Sequence, residues 1–335
     1  MDNVITTRDL RKSFAAPGGR VEAVRGVSID VRRGEIFGFL GPNGAGKTTT
    51  LRMLTTLLPI DSGTATVAGF DVAARPRQVR QRIGYVSQLG GADELATGRE
   101  NLILQGRLYG ASRAKVAPRA EALIGLLDLA EFADRRVITY SGGQRRRLDI
   151  ALGIVHEPSV LFLDEPTTGL DPQSRANLWD HIRALREGGT TVFLTTHYLE
   201  EADVLCDRLM ITDHGQIVAE GTPRTLKQRV AGDAIVIALR AGQSDAAPAA
   251  AALRGQPYVR DLTAEDGQVR LYVDDGGTAL PELIRVLDAH GIGVRSITMS
   301  EPSLDDVFLR QTGRSLRDAG EGAGVPADEK KEVAA

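Results

Sequence analysis

Short apolar runs alternate with stretches of helical period along most of the chain. Glu35-Ile36-Phe37-Gly38-Phe39-Leu40 carries no polar residue after its first position, the pattern of a strand buried on both faces. It runs straight into a glycine-rich segment, after which Thr49 to Leu58 predicts a helix stopped by Pro59. Val160 to Leu163 and Thr191 to Thr195 are two more β-rich runs. Between them Leu178, Ile182 and Leu185 recur at i, i+4 and i+7, a helix with one apolar face. This alternation predicts parallel strands covered by helices. Leu209 to Ile211 and Ile217 to Ala219, separated by Asp213-His214-Gly215, predict a hairpin turning at Gly215.

Residues 89–158 differ, being rich in helix formers, with Leu102, Leu104 and Leu108, then Leu123, Leu126 and Leu127, as apolar positions. They read as a helical insertion in the α/β core. After Gly221-Thr222-Pro223 the pattern changes again. Strand-like runs occur at Ile235 to Leu239, Val269 to Val273 and Val294 to Met299, and Leu280 to His290 predicts a helix with Leu283, Val286 and Leu287 on one face. Ala246 to Ala252, interrupted by Pro248, reads as a linker or a weak helix. The expected organisation is an α/β domain over 1–225, a small α+β domain over 226–313, and a disordered tail over 314–335, where large apolar residues nearly vanish.

Composition narrows the class. The chain has 335 residues, enough for two domains, and its 42% hydrophobic and 25% charged residues are an ordinary globular balance. A net charge of −3 provides no global basic field for nucleic acid. Cys206 is the single cysteine, so no intramolecular disulfide forms, and its apolar neighbours suggest a core thiol. The N-terminus lacks the basic and apolar regions of a signal peptide, and no apolar run reaches the roughly 18–20 residues that span a bilayer. The chain is expected in the cytoplasm, reaching a membrane only through a partner.

The glycine-rich segment is Gly41-Pro42-Asn43-Gly44-Ala45-Gly46-Lys47-Thr48, a full phosphate-binding loop between a strand and a helix. Its backbone N–H groups and the helix N-terminus suit phosphates. Lys47 is expected on the β- and γ-phosphates, and Thr48 on Mg²⁺. Asp164, closing an apolar run, is the expected second Mg²⁺ ligand, and Glu165 the group that polarises the attacking water. A second phosphate-binding signal is Ser141-Gly142-Gly143-Gln144 ahead of a helix over Arg145 to Val155. Ser141 suits an N-cap, and two glycines before a helix also admit an anion. One triphosphate does not need two separate cradles.

With Tyr140-Ser141-Gly142-Gly143-Gln144, Leu161-Phe162-Leu163-Asp164-Glu165-Pro166, Gly169-Leu170-Asp171-Pro172 and Thr195-Thr196-His197, the chain resembles the ATP-binding subunit of an ABC transporter over residues 1 to about 225. The resemblance implies a P-loop NTPase cassette, with a RecA-like core and a helical subdomain near 89–158, that uses ATP and Mg²⁺. Residue by residue it implies Gly41, Asn43, Gly44, Gly46, Lys47, Thr48 and Thr49 around the phosphates. It implies Gln88 as a Mg²⁺- and water-sensing residue after the strand Ile83 to Ser87, and Asp171 at a dimer seam. It implies His197 on the γ-phosphate, and Ser141 to Gln144 closing over the ATP of a second copy. Phe14 occupies the region of the aromatic residue that stacks on adenine, with a core position as the alternative.

The signature usually begins with leucine, and here position 140 is tyrosine. Tyr140, Tyr198-Leu199-Glu200-Glu201-Ala202-Asp203 and Pro302-Ser303-Leu304-Asp305-Asp306-Val307-Phe308-Leu309 resemble daunorubicin-resistance-type ATPases. That branch implies a head-to-tail homodimer at the cytoplasmic face of the membrane, bound to a separate permease that exports a drug, antibiotic or similar amphiphile. Its C-terminal domain would dimerise the ATPase or attach the permease. ATPases serving lipid or polysaccharide cargo, and soluble ABC proteins outside transport, are the alternatives.

Overall fold

The computed structural model describes residues 2–17, 19–229, 233–240, 246–265, 267–300, 302–313 and 315–316. Apart from residues 315 and 316, the expected tail lies outside them. The chain forms two compact units, with a boundary between Pro223 and Arg224.

The first unit begins with β1 (Asn3–Ala16), β2 (Gly19–Val27), β3 (Asp30–Arg32), β4 (Ile36–Leu40), α1 (Lys47–Leu54), β5 (Ser62–Val67), β6 (Phe70–Asp71), α2 (Pro76–Arg82) and β7 (Ile83–Val86). The helical region follows as α3 (Gly98–Leu108), α4 (Arg113–Leu126) and α5 (Gly142–Ile154). It is completed by β8 (Val160–Asp164), α6 (Pro172–Glu187), β9 (Thr191–Thr196), α7 (Leu199–Leu205), β10 (Arg208–Asp213) and β11 (Gln216–Gly221). At the boundary lies α8 (Pro223–Arg229).

Two sheets build this unit. The central one runs β11-β10-β4-β9-β8-β7, parallel except for the antiparallel pair of β10 and β11. Every residue of β4, β8 and β9 is buried, as expected of parallel strands covered on both faces. Phe193 lies 5.5 Å from Phe37, 6.0 Å from Phe39 and 5.5 Å from Phe162, ring centre to ring centre. Each such buried ring contributes ~2–3 kcal/mol by leaving water. The carboxyl ends of β4, β8 and β9 are adjacent, where open α/β sheets bind ligands. An antiparallel sheet, β2-β1-β5-β6 with β3 on β1, fills the N-terminal region that periodicity left unassigned, because its strands carry many charged residues.

Several boundaries move. The helix expected over Thr49–Leu58 is α1, which starts at Lys47 and ends at Leu54. Thr55 Oγ1 donates to Leu51 O, and Thr56 takes φ +65°, so the chain leaves the helix well before Pro59. The strand before Gln88 ends at Val86 rather than Ser87. In the helical region Leu102, Leu123 and Leu127 are buried, whereas Leu104, Leu108 and Leu126 are exposed. Cys206 is a buried thiol that burial pushes well up.

The second unit holds β12 (Asp233–Leu239), α9 (Ala246–Arg254), β13 (Val259–Glu265), β14 (Gln268–Val273), α10 (Gly276–Ala289), β15 (Val294–Ser300) and α11 (Leu304–Thr312). Its sheet, β13-β14-β12-β15, is antiparallel throughout. Ile235, Ile237, Val269, Leu271 and Val273 share one core with Ala249 and Leu253 of α9 and Leu283 and Leu287 of α10. The alanine-rich stretch is thus a packed helix and not a linker. Periodicity leaves β13 unassigned, and α10 starts four residues before Leu280, with Asp275 accepting from Thr278 N. Asp306 of α11 accepts from Tyr272 Oη at 2.5 Å and from Arg270 Nη1 at 2.8 Å. Arg270 and Tyr272 alternate with the core residues of β14, so α11 is tied to the opposite face.

Candidate functional site

The loop after β4 curls because its glycines permit it. Gly46 takes φ +90°, and a Cβ there would lie 2.3 Å from Ala23 O. At Gly41 a Cβ would lie 2.4 Å from Thr212 O. Lys47 Nζ turns into the loop and donates to Gly41 O at 2.8 Å and Pro42 O at 3.0 Å. It also lies 3.3 Å from Glu165 Oε1. Burial lowers the Lys47 ammonium below its ordinary range, opposed by Glu165. Asn43 and Gly44 face solvent at the loop tip, and Thr49 is half-buried on α1.

Adjacent strand ends bring Asp164, Glu165 and His197 to this loop. Asp164 Oδ1 accepts from Thr48 Oγ1 at 3.1 Å and Thr195 Oγ1 at 2.6 Å. Burial pushes the Asp164 carboxyl up, while these two hydroxyls pull it down. Glu165 takes φ +45°, a left-handed backbone that costs a non-glycine residue ~1–2 kcal/mol. Its N–H donates to Thr195 O and Oγ1, each at 3.1 Å, which holds that conformation. His197 Nδ1 stands 3.2 Å from Glu165 Oε2, off the alignment of a full hydrogen bond. Burial raises the Glu165 carboxyl, but His197 and Lys47 together outweigh burial and bring it down to about 2.

Ser141, Gly142, Gly143, Gln144 and Asp171 form a second cluster. Ser141 caps α5, accepting from Gln144 N at 3.3 Å while Gln144 Oε1 accepts from Ser141 N at 3.0 Å. Ser141 and Gly142 are exposed, so free N–H groups of the first turn face solvent. Asp171 caps α6 through Ser174 N and Oγ. Ser174 Oγ would lie 2.9 Å from a Cβ at Gly143, which brings the starts of α5 and α6 together. Among the described residues, no hydrogen bond joins Ser141 to Gln144 or Asp171 to the Gly41–Thr48 loop. Gln88 is exposed two residues past β7. Phe14 is 40% exposed on β1, with Lys12 Nζ 5.7 Å from its ring centre, which rules out the core alternative.

Tyr140 has its own explanation. Its hydroxyl donates to Phe132 O at 2.6 Å, and its ring meets Phe132 edge-on at 4.9 Å. It anchors the turn before the α5 cap.

Sequence reasoning missed several buried charged residues, Arg146 and Glu201 among them. Arg146 donates to Ser87 O at 2.6 Å, Pro166 O at 2.8 Å and Asp164 O at 3.0 Å. It sits in the run Arg145-Arg146-Arg147, which in sequence reads as a solvated basic face. Glu201 of α7 is fully buried and accepts from Trp179 Nε1 at 3.3 Å. Burial raises its carboxyl above the ordinary range, so it is held toward the neutral form. Helical period offered a signal, because Glu201 and Leu205 share one face of α7.

The oxygens available for a metal are a carboxylate and a hydroxyl converging at the loop mouth. That hard-donor pair fits Mg²⁺, which takes one or two carboxylates and completes its shell with phosphate and water.

The ABC transporter family matches residues 24–168, and the family described as ATP-binding protein DrrA1-3-like, C-terminal domain, matches residues 221–312. The daunorubicin resistance ATP-binding protein DrrA2 of Streptomyces coeruleorubidus is 48% identical, over 88% of this chain and 92% of its own. The doxorubicin resistance ATP-binding protein DrrA of Mycobacterium tuberculosis is 43% identical, over 93% of this chain and 94% of its own. Among solved structures, an ATP binding subunit of an ABC transporter superposes with a TM-score of 0.60 at 27% identity, covering 68% of this chain and 92% of that one. The chain belongs to the ABC transporter family, as an ATPase subunit whose ATP-binding cassette is followed by a DrrA1-3-like C-terminal domain.

Proposed function

We propose that two copies of this chain, bound to a separate membrane permease at the cytoplasmic face, hydrolyse ATP to drive export of a drug, antibiotic or similar amphiphile. One observation carries the reading: the phosphate-binding features stand in two clusters, Gly41–Thr48 with Asp164, Glu165 and His197, and Ser141–Gln144 with Asp171. Each cluster is half a site. Two-fold symmetry pairs the loop of one copy with the α5 cap of the other and makes two complete sites from one kind of chain.

In this reading Lys47 leaves the carbonyls of Gly41 and Pro42 for the β- and γ-phosphates, with Phe14 against adenine. Thr48, Asp164 and Gln88 would hold Mg²⁺, which when bound would neutralise charge on the phosphate oxygens. Lys47 is a cause of the depressed Glu165 carboxyl, so its turn toward phosphate makes Glu165 a better proton acceptor. Glu165 then orients the attacking water, and His197 is left to meet the γ-phosphate. The exposed N-terminus of α5 gives the partner's nucleotide charge-assisted hydrogen bonds that exist only while the nucleotide is bound.

No helix among the described residues is long and apolar enough to cross a membrane, so passage of cargo falls to the permease. Leu89, Leu95, Leu104 and Leu108 are each exposed in the helical region, apolar side chains suited to contact with that partner. The drug-resistance names of the relatives support the cargo class. Co-purification of the tagged chain from detergent-solubilised membranes tests the assembly. The expected result is a multispan permease in the complex and ATPase activity raised by amphiphilic drugs. A chain that purifies without any membrane protein overturns it.

A further inference from the structure

The contacts of Arg146 are aimed at the backbone of the residues that act on ATP. Its side chain is buried, yet among the described residues no carboxylate lies within hydrogen-bonding distance of it. All three guanidinium nitrogens instead donate to main-chain carbonyls on two separate segments. Nε reaches Pro166 O and Nη2 reaches Asp164 O, the carbonyls immediately after and before Glu165. Nη1 reaches Ser87 O, the carbonyl immediately before Gln88. One turn further along α5, Asp149 Oδ1 accepts from Gly91 N at 3.1 Å, so α5 grips the Gln88 loop on both sides.

A guanidinium suits this task because its planar donors are fixed relative to one another. Lysine offers a point charge on a flexible stem, and glutamine has too few donors for three carbonyls. The need for a clamp is local. Glu165 sits at φ +45°, and backbone in that region persists only when its surroundings over-determine it. Thr195 holds the N–H of Glu165 from one side, and Arg146 holds the two flanking carbonyls from the other.

We propose that Arg146 is a positioning residue for ATP hydrolysis: it fixes the backbone around Glu165 and Gln88 and makes α5 one rigid piece with them. The consequence is a coupling between sites. The N-terminus of α5 closes on the partner copy's nucleotide, and the same helix, at Arg146, holds the backbone on either side of this copy's own Glu165. The inference rests on the role proposed for Glu165.

The test uses the full chain, with ATPase rates normalised to the fraction that binds a fluorescent ATP analogue, so that poor folding does not count as lost chemistry. Arg146→Gln is expected to lower kcat about 30- to 100-fold, the scale of an ångström-sized misplacement, with KM for ATP changed less than threefold. Arg146→Lys, which keeps the charge and is the gentler replacement, is expected to lose at least tenfold in kcat. Adding Arg146→Gln to Glu165→Gln is expected to cost less than threefold further, because a group acting through Glu165 has little left to position. Full activity in Arg146→Lys, a rise in KM in place of the fall in kcat, or a full additional loss in the double variant overturns the proposal. Wild-type hydrolysis by Glu165→Gln alone removes the role of Glu165 instead, a result distinguishable from all three.

Discussion

Replacing Glu165 by glutamine tests the charge arrangement in two ways at once. In the fold the carboxyl is held at about 2, against an ordinary 4.5, and its side chain is only 11% exposed. That difference corresponds to ~3 kcal/mol of stability at neutral pH. A depressed carboxyl stabilises the fold above the unfolded value of 4.5, and the contribution is lost as pH falls toward about 2. The gap between wild type and Glu165→Gln should therefore be ~3 kcal/mol at pH 7 and only ~1 kcal/mol near pH 3. Urea unfolding followed by tryptophan fluorescence reads this within the cassette, because Trp179, the single tryptophan, is buried on α6. The same variant should bind ATP and lose turnover by about 10²–10⁴-fold. A stability gap that stays constant between pH 7 and pH 3 would refute the reasoning, since Lys47 and His197 would then not be holding a carboxylate.

Gly46→Ala should abolish ATP binding in calorimetry, because its Cβ would lie 2.3 Å from Ala23 O on a backbone at φ +90°. Tyr140→Leu should lower cassette stability by ~1–3 kcal/mol in urea, since Phe132 O loses its donor, while kcat stays within about threefold because the tyrosine touches no phosphate-binding group. Asp306→Ala should destabilise the second unit by ~3–5 kcal/mol, because Arg270 and Tyr272 lose their common partner. Hydrogen exchange in β14 should report that loss while leaving β4 and β8 protected.

The central sheet was legible because parallel buried strands write themselves as unbroken apolar runs, as in Phe37 to Leu40 and Val160 to Leu163. The phosphate loop was legible for a related reason, since glycine spacing is dictated by steric limits at Gly41 and Gly46. The N-terminal sheet was not, because β1 and β2 alternate irregularly and are interrupted by bulges at Leu10/Arg11 and Lys12/Ser13. In α3 and α4 the apolar positions divide, with Leu102 and Leu123 buried while Leu104, Leu108 and Leu126 are exposed. Periodicity cannot separate an apolar face for the core from one left for a partner. Arg146 was invisible for the opposite reason. Nothing in three consecutive arginines says which one is buried, and only the fold brings Ser87, Asp164 and Pro166 around the middle one.

The central claim is that each phosphate cradle is half a site. It is tested most directly by the mass of the full-length Glu165→Gln chain, measured by light scattering with and without ATP and Mg²⁺, beside the same chain also carrying Gly142→Asp. The account predicts that ATP converts Glu165→Gln to a dimer holding two nucleotides. The doubly substituted chain should still bind ATP through Lys47 but remain monomeric, because an aspartate at the α5 cap repels the partner's phosphates. A doubly substituted chain that dimerises with ATP as readily as Glu165→Gln would contradict it.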